Sequence, residues 1–408
     1  MALTKVSSAV LGNSAVSSAK LNLTTLAAGN TTITGAATFS NTITVTGNTT
    51  FSNTVAIGSD YITPYAGFKN RIINGDMRID QRNAGANVAL TTAYGYVLDR
   101  WYFNISQNSK LSTGRNQGSV TPPAGFTYYM GITSAAAYTP GASETFEVAQ
   151  NIEGYNIADF AWGTASAKTI TLSFWVRSSL TGTFGGCFQN ENNTRSYPFS
   201  YTISSANTWE QKSVTVTGCT DGTWNSDNNG GTKLRFNLGD GSNLLNTAGS
   251  WYSGDYRGVT GNVNVVGTSG ATWQITGVQV EKGSTATSFD WRPFSTELQL
   301  CQRYYERSYD IGNTNGSFTS GWRGTCTNGT VYAESPGWSF SVTKRATPTV
   351  TLYNAVSGAA GAAYQVSSAA NTAVSTRYIG TTGIGIIDYT SSGGQNSYYI
   401  HYTAAAEL

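Results

Sequence analysis

Between Tyr61 and about Phe294, apolar residues return at every second position in short runs, with no helical period between the runs. The clearest run is Lys168 to Val176, where Ile170, Leu172, Phe174 and Val176 share one side of an extended chain. Trp209 to Thr217 and Trp273 to Val280 alternate in the same way. Turn clusters separate them, such as Asp221-Gly222 and Asn228-Asn229-Gly230-Gly231. Alternation makes one face of each strand apolar, and that face has to be covered by another layer. The expectation is an all-β chain whose middle part, 61–294, is a β-sandwich of jelly-roll type.

The scarce residues narrow the chemistry. Lys plus Arg is 24 and Asp plus Glu is 22, giving a net charge of +2, and charged residues are 11% of the chain. Roughly 25% is usual. A nucleic-acid binder needs clustered Lys and Arg to displace phosphate counterions, so no nucleic-acid partner is expected. The single histidine, His401, leaves little room for a Ser-His-Asp site or a His-rich zinc site. The four cysteines (Cys187, Cys219, Cys301 and Cys326) lack C-x-x-C spacing and read as free buried thiols. No apolar run approaches the roughly 20 residues that cross a bilayer, and the start carries no signal-peptide core. Synthesis in a cytoplasm is expected.

The first 60 residues are different. Val6-Ser7-Ser8-Ala9 recurs as Val16-Ser17-Ser18-Ala19, within a segment, 1–29, that has small residues, no aromatic and almost no charge and is not expected to form a core alone. Thr34 to Ile43 returns twelve residues later as Thr46 to Val55. The repeat carries Phe39 onto Phe51, Ile43 onto Val55, and Ile33 onto Val45. One copy of such a repeat exposes an apolar stripe with nothing to cover it, whereas three chains around an axis would bury their stripes together. Residues 30–60 therefore read as a short intertwined trimeric stalk with Phe39, Ile43, Val45, Phe51 and Val55 at its core. At the other end, Ser295 can cap a helix in which Glu297 favours the N-terminus and Leu298, Cys301 and Tyr305 share a face. This predicts a helical linker at 295–310, acting as a hinge, before a smaller β tip domain at 311–408.

Three stretches carry a resemblance. They are Phe68-Lys69-Asn70-Arg71-Ile72-Ile73-Asn74-Gly75-Asp76-Met77-Arg78, Tyr96-Val97-Leu98-Asp99-Arg100-Trp101-Tyr102, and Gly277 to Phe289 with Leu300-Cys301-Gln302-Arg303-Tyr304-Tyr305. Together they resemble the distal region of bacteriophage tail fibres. The resemblance implies a homotrimeric, non-enzymatic virion fibre with a jelly roll like those of carbohydrate-binding modules. Its N-terminus would join tail or adaptor proteins, and its C-terminal domains would meet a host surface polysaccharide or outer-membrane receptor. It implies no cofactor. A structural connector of the virion and a polysaccharide depolymerase are the alternatives.

Glycan recognition needs flat aromatic faces beside amide or carboxylate groups. Four loop aromatics fit: Trp224 and Trp251 in the jelly roll, Tyr364 and Tyr389 in the tip. Tyr252, Asp255 and Tyr256 accompany Trp251, and Trp322, Tyr332 and Trp338 are further tip candidates. Trp175, inside an alternating run, is assigned to core or trimer packing. Glu144 with Glu147, and Glu153 with Asp159, are the carboxylate pairs that glycoside cleavage would need. Asp221 to Asn228 has oxygen ligands at alternate positions but lacks a closing Glu, and reads as an Asx-rich turn rather than a calcium loop. No metal ligand and no catalytic residue is assigned.

Overall fold

The computed structural model describes residues 68–313, 323–329, 332–390 and 394–408, with the strand pairs at 56–57 and 60–61. Contacts divide the chain into Met1–Val55 and Ala56–Leu408, and every described residue belongs to the second unit. The stalk residues Phe39, Ile43, Val45, Phe51 and Val55 lie outside the described residues.

Strands β1 (Ala56–Ile57) and β2 (Asp60–Tyr61) form a small ladder. The large module begins with β3 (Val88–Ala89), β4 (Tyr94–Leu98), β5 (Trp101–Ile105), β6 (Leu111–Arg115), β7 (Met130–Ser134) and β8 (Phe146–Glu153). It continues with β9 (Ile170–Ser178), β10 (Gly182–Asn190), β11 (Arg195–Ile203), β12 (Glu210–Val216) and β13 (Gly230–Asn237). The short β14 (Leu245–Asn246), β15 (Tyr252–Ser253) and β16 (Gly258–Val259) precede the long β17 (Thr272–Lys282). Seven strands in the order β15-β11-β10-β13-β8-β5-β4 make one sheet, and six in the order β12-β9-β17-β7-β6-β3 make the other.

The alternation explains the layers. Ile170, Leu172, Phe174 and Val176 of one sheet join Phe184, Phe188, Phe199, Leu234 and Phe236 of the other in one buried cluster. Phe174 meets Phe236 edge-on at 5.1 Å between centroids, and the buried Trp273 indole donates to Tyr201 Oη at 3.1 Å. The chain is thus an all-β protein built on a two-sheet sandwich.

Helix α1 (Phe294–Gln302) follows, with β18 (Tyr305–Arg307) immediately after it. The helix starts one residue earlier than expected, and Ser295 provides no side-chain cap. Tyr305 has already left the helix for a strand. Nor is the helix a hinge. Cys301 and Tyr304 are fully buried with Ile73 and Ile79. Glu297 is buried as well, accepting from the Asn74 amide and from Arg292 Nη1 at 3.2 Å. Arg303 pairs with buried Glu153 at 2.5 Å. The segments that carry the tail-fibre resemblance build this joint. The Asn74 side chain donates to the carbonyls of Ile79 and Asp99, and the Trp101 indole donates to the Asn74 carbonyl. A Cβ at Gly75 would stand 2.2 Å from the Val278 carbonyl oxygen. The motif is architectural.

The tip comprises β19 (Arg323–Gly329), β20 (Tyr332–Pro336), β21 (Thr349–Asn354), β22 (Ala362–Gln365), β23 (Ala370–Ile379), β24 (Ile384–Thr390) and β25 (Gly394–Ala405). β25 is its spine, pairing with β18, β19, β21 and β22. Its far end returns to the sandwich, where Glu407 pairs with Arg82 at 2.6 Å and with the buried Arg100. Arg345 Nη1 donates to the Asn228 carbonyl at 2.8 Å, and Nη2 donates to the Glu407 carbonyl at 2.7 Å. Sandwich and tip are therefore joined by ion pairs and by guanidinium-to-carbonyl hydrogen bonds.

Candidate functional site

The aromatics named from sequence fall into two groups. Trp224 and Trp251 come together with centroids 5.4 Å apart, but as part of a plug with Trp162 and Tyr197 at the margin of the sandwich core. The Trp162, Trp224 and Trp251 indoles each donate to a backbone carbonyl, of Lys168, Asp221 and Thr217. Trp224 and Trp251 are partly buried and packed against the core. In the tip, Tyr389 is buried and stacks on Tyr398 at 4.4 Å, so it cannot offer a face to a ligand. Its strand register points the ring into the tip core, which a position beside a Gly-rich loop did not disclose. Tyr389→Ala is expected to cost about 3–5 kcal/mol of stability, read from a denaturant titration; a change below 1 kcal/mol would contradict the buried assignment. Tyr364 is half-buried and stacks with its cross-strand partner Tyr399 at 6.1 Å. Trp338 stacks on Tyr402, while the side chains of Trp322 and Tyr332 lie outside the described residues.

The proposed carboxylate pairs are occupied by the chain itself. Glu144 accepts from Gln107, Tyr138 and the Gly141 amide, which hold its carboxyl below the usual range. Glu147 is buried against Arg235 and Asn104, and Glu153 against Arg303 and Tyr304. Asp159 is exposed and pairs with Arg71 and Lys282. In the Asp221–Asn228 turn, Asp221 pairs with Arg195, and Asp227 accepts from the Asn229 amide at 2.9 Å. Cys187, Cys219 and Cys301 are free and buried.

The open aromatic surface lies elsewhere, on the outer face of the six-stranded sheet. With Phe174 and Val176 inward, Trp175 must point outward, and it is only half-buried; its assignment to the core is corrected here. Register places Gln211 of β12 opposite Trp175, and Ser213 opposite Ser173. Trp175, Gln211 and Ser173 tile the floor of a groove of about 220 Å³, and Ser213 lies just beyond it. Among the described residues, no side-chain hydrogen bond engages Ser173, Gln211 or Ser213.

Two loops wall the groove. One brings Phe126 after the turn at Pro123, and the other brings Phe289 and Trp291. The three rings stand 4.8–5.3 Å apart, Phe289 edge-on to both others, and Trp291 is 51% exposed. Gly277 makes room for them. It sits at φ +63° where the β17 pairing with β9 shifts register, and a Cβ there would come within 2.6 Å of Phe126 and 3.2 Å of Trp175. The second wall is fastened from beneath. Buried Glu281 accepts from the Thr287 amide at 2.9 Å and from its hydroxyl at 2.6 Å. The Asp290 amide donates to Gln279 Oε1 at 2.8 Å. The groove is thus formed before any ligand arrives, which lowers the ordering cost of binding. The residues lining it carry no carboxylate, imidazole or thiol.

No family model matches this chain, and no curated protein matches it. Solved structures show partial likeness. The enzymatically active domain of tailspike protein 4 from bacteriophage CBA120 is 12% identical with a TM-score of 0.30, over 53% of this chain and 22% of that one. A putative sugar-binding protein from Bacteroides thetaiotaomicron is 12% identical with a TM-score of 0.30, over 52% of this chain and all of the other. A family 11 carbohydrate-binding module from Clostridium thermocellum is 13% identical with a TM-score of 0.24, over 49% of this chain and 97% of that one. Similarity at this level assigns neither family nor ligand.

Sequence reasoning missed Phe126, Phe289 and Trp291. The signal for Trp175 was present as parity, since its neighbours at 174 and 176 claim the core face. Phe126 follows Pro122-Pro123-Ala124-Gly125, a turn that takes it out of a strand. Nothing local shows that residues 126, 175 and 291 meet.

Proposed function

We propose that this chain is a homotrimeric bacteriophage tail fibre protein that attaches to the tail by its N-terminus and binds glycan of a bacterial host through the groove above β9 and β12. The observation that carries the binding reading is an exposed Trp291 beside a Trp175–Gln211 floor with Ser173 adjoining. Aromatic faces accept the C–H faces of a sugar ring, and amides and hydroxyls pair with its hydroxyls. The lining supplies no acid–base pair, which favours binding over cleavage. The tail-fibre assignment rests on the sequence resemblance, with residues 1–29 as particle anchor and 30–60 as stalk. A virion connector without host contact is favoured instead by the half-exposed Phe68 and Phe294, which offer apolar area to a protein partner.

The test is an array of purified bacterial surface polysaccharides, probed with the fluorescently labelled full chain and paired with staining of the source cells. Capture of at least one polysaccharide together with staining of its source strain is expected. Failure on both counts would leave the connector. Light scattering should give about three times the 43.3 kDa chain mass, and a monomer would remove the trimer.

A further inference from the structure

A second depression of about 400 Å³ adjoins the aromatic groove and shares Gln211 and Thr287 with it. Its other walls are Lys212, Ser213, Ala286 and Ser288. Gln211 and Ser213 are both exposed here, two residues apart on the outer face of β12. The rise of a strand sets that step at about 7 Å, comparable to one pyranose unit. The surface therefore changes character along β12 from aromatic, at Trp175 and Trp291, to hydroxyl and amide, at Ser213 and Ser288.

Lys212 is the one charged residue lining either depression, and its ammonium is held by Glu210 at 2.5 Å. That bond keeps the Glu210 carboxyl below its usual range, and the backbone amides of Ser204 and Ser205 add to the effect. The trough consequently presents little net charge. It also lies over the side-chain face of the sheet and not along a backbone edge, so it suits a ligand that hydrogen-bonds through its own hydroxyls better than an added peptide strand.

We infer that the trough reads a neutral linear oligosaccharide of at least two units, one stacked between Trp175 and Trp291 and the next hydrogen-bonded by Ser213 and Ser288, with Gln211 at the boundary between them. This rests on the glycan-binding reading above. It assigns two subsites with separable contributions: the aromatic one holds any single sugar weakly, and the polar one adds affinity only when a second unit is present.

The test uses the full chain and oligosaccharides of one to six units, made by partial hydrolysis of whichever polysaccharide the array captures, in calorimetric titrations. Affinity should rise at least tenfold from one unit to three and change less than twofold beyond four. The double variant Ser213→Ala with Ser288→Ala, which removes hydroxyls lining the second depression alone, should lose most of that rise while leaving single-unit binding and the thermal midpoint unchanged. Equal affinity for one unit and for three, or a double variant indistinguishable from the parent, overturns the two-subsite assignment and leaves glycan binding intact. If no polysaccharide is captured, the glycan reading falls and the inference falls with it.

Discussion

Glu407→Ala should destabilise the protein by about 3–5 kcal/mol, the range for removing one partner of a buried ion pair. Arg100 is 1% exposed in its side chain and Arg82 15%, so neither guanidinium can recover in water what it loses when the carboxylate goes. Arg100 also lies over the Tyr304 ring at 3.6 Å, and Arg82 over Tyr305 at 3.7 Å. The charges are thereby tied to the residues that lead from the helix into β18. Loss of the carboxylate should loosen sandwich and tip from each other, so the denaturation curve should move to lower denaturant and split into two steps. Lys282→Ala is the control. It breaks a pair with Asp159 whose side chains are 48% and 42% exposed, and a shift below about 1 kcal/mol is expected. Equal shifts for the two variants would mean that the joint contributes nothing special.

On the proposed glycan-binding reading, Trp291→Ala should lower affinity by tenfold or more and abolish cell staining, while leaving oligomeric mass and denaturation midpoint close to those of the parent. Half of this indole faces solvent, so its removal costs little packing but takes away the largest exposed aromatic face of the groove. Trp251→Ala provides the contrast. That ring packs against Trp162, Trp224 and Tyr197, so its loss should lower stability before it affects binding. A Trp291 variant that dissociates the trimer would assign the groove aromatics to packing between chains. A Trp251 variant that loses binding at unchanged stability would return recognition to the plug.

Much of the fold was legible because strand character is a local property. Apolar residues at every second position, broken by Gly and Asn, demand sheets with one covered face whatever the rest of the chain does. The sandwich strands, the α-helix near 295 and the further strands after it all follow from such local patterns. The helix end was misplaced because Tyr305 can serve as a helical face residue or a strand residue, and only its pairing with Ala405 decides.

The binding surface was not legible in the same way. Loop position and aromatic identity pointed to Trp224, Trp251 and Tyr389, yet Tyr389 is buried and the two indoles pack partly into the sandwich margin, because a core and its margin need large side chains as much as a ligand does. Phe126, Trp175 and Trp291 are far apart in the chain, and a bulge at Gly277 together with a loop tied down by Gln279 and Glu281 is what brings them into one groove. The sequence by itself determined that the chain is β and which face of each strand points inward, since both depend on spacing of two. Only the tertiary structure decided which outward aromatics stay uncovered, because that depends on where distant loops land on the sheet.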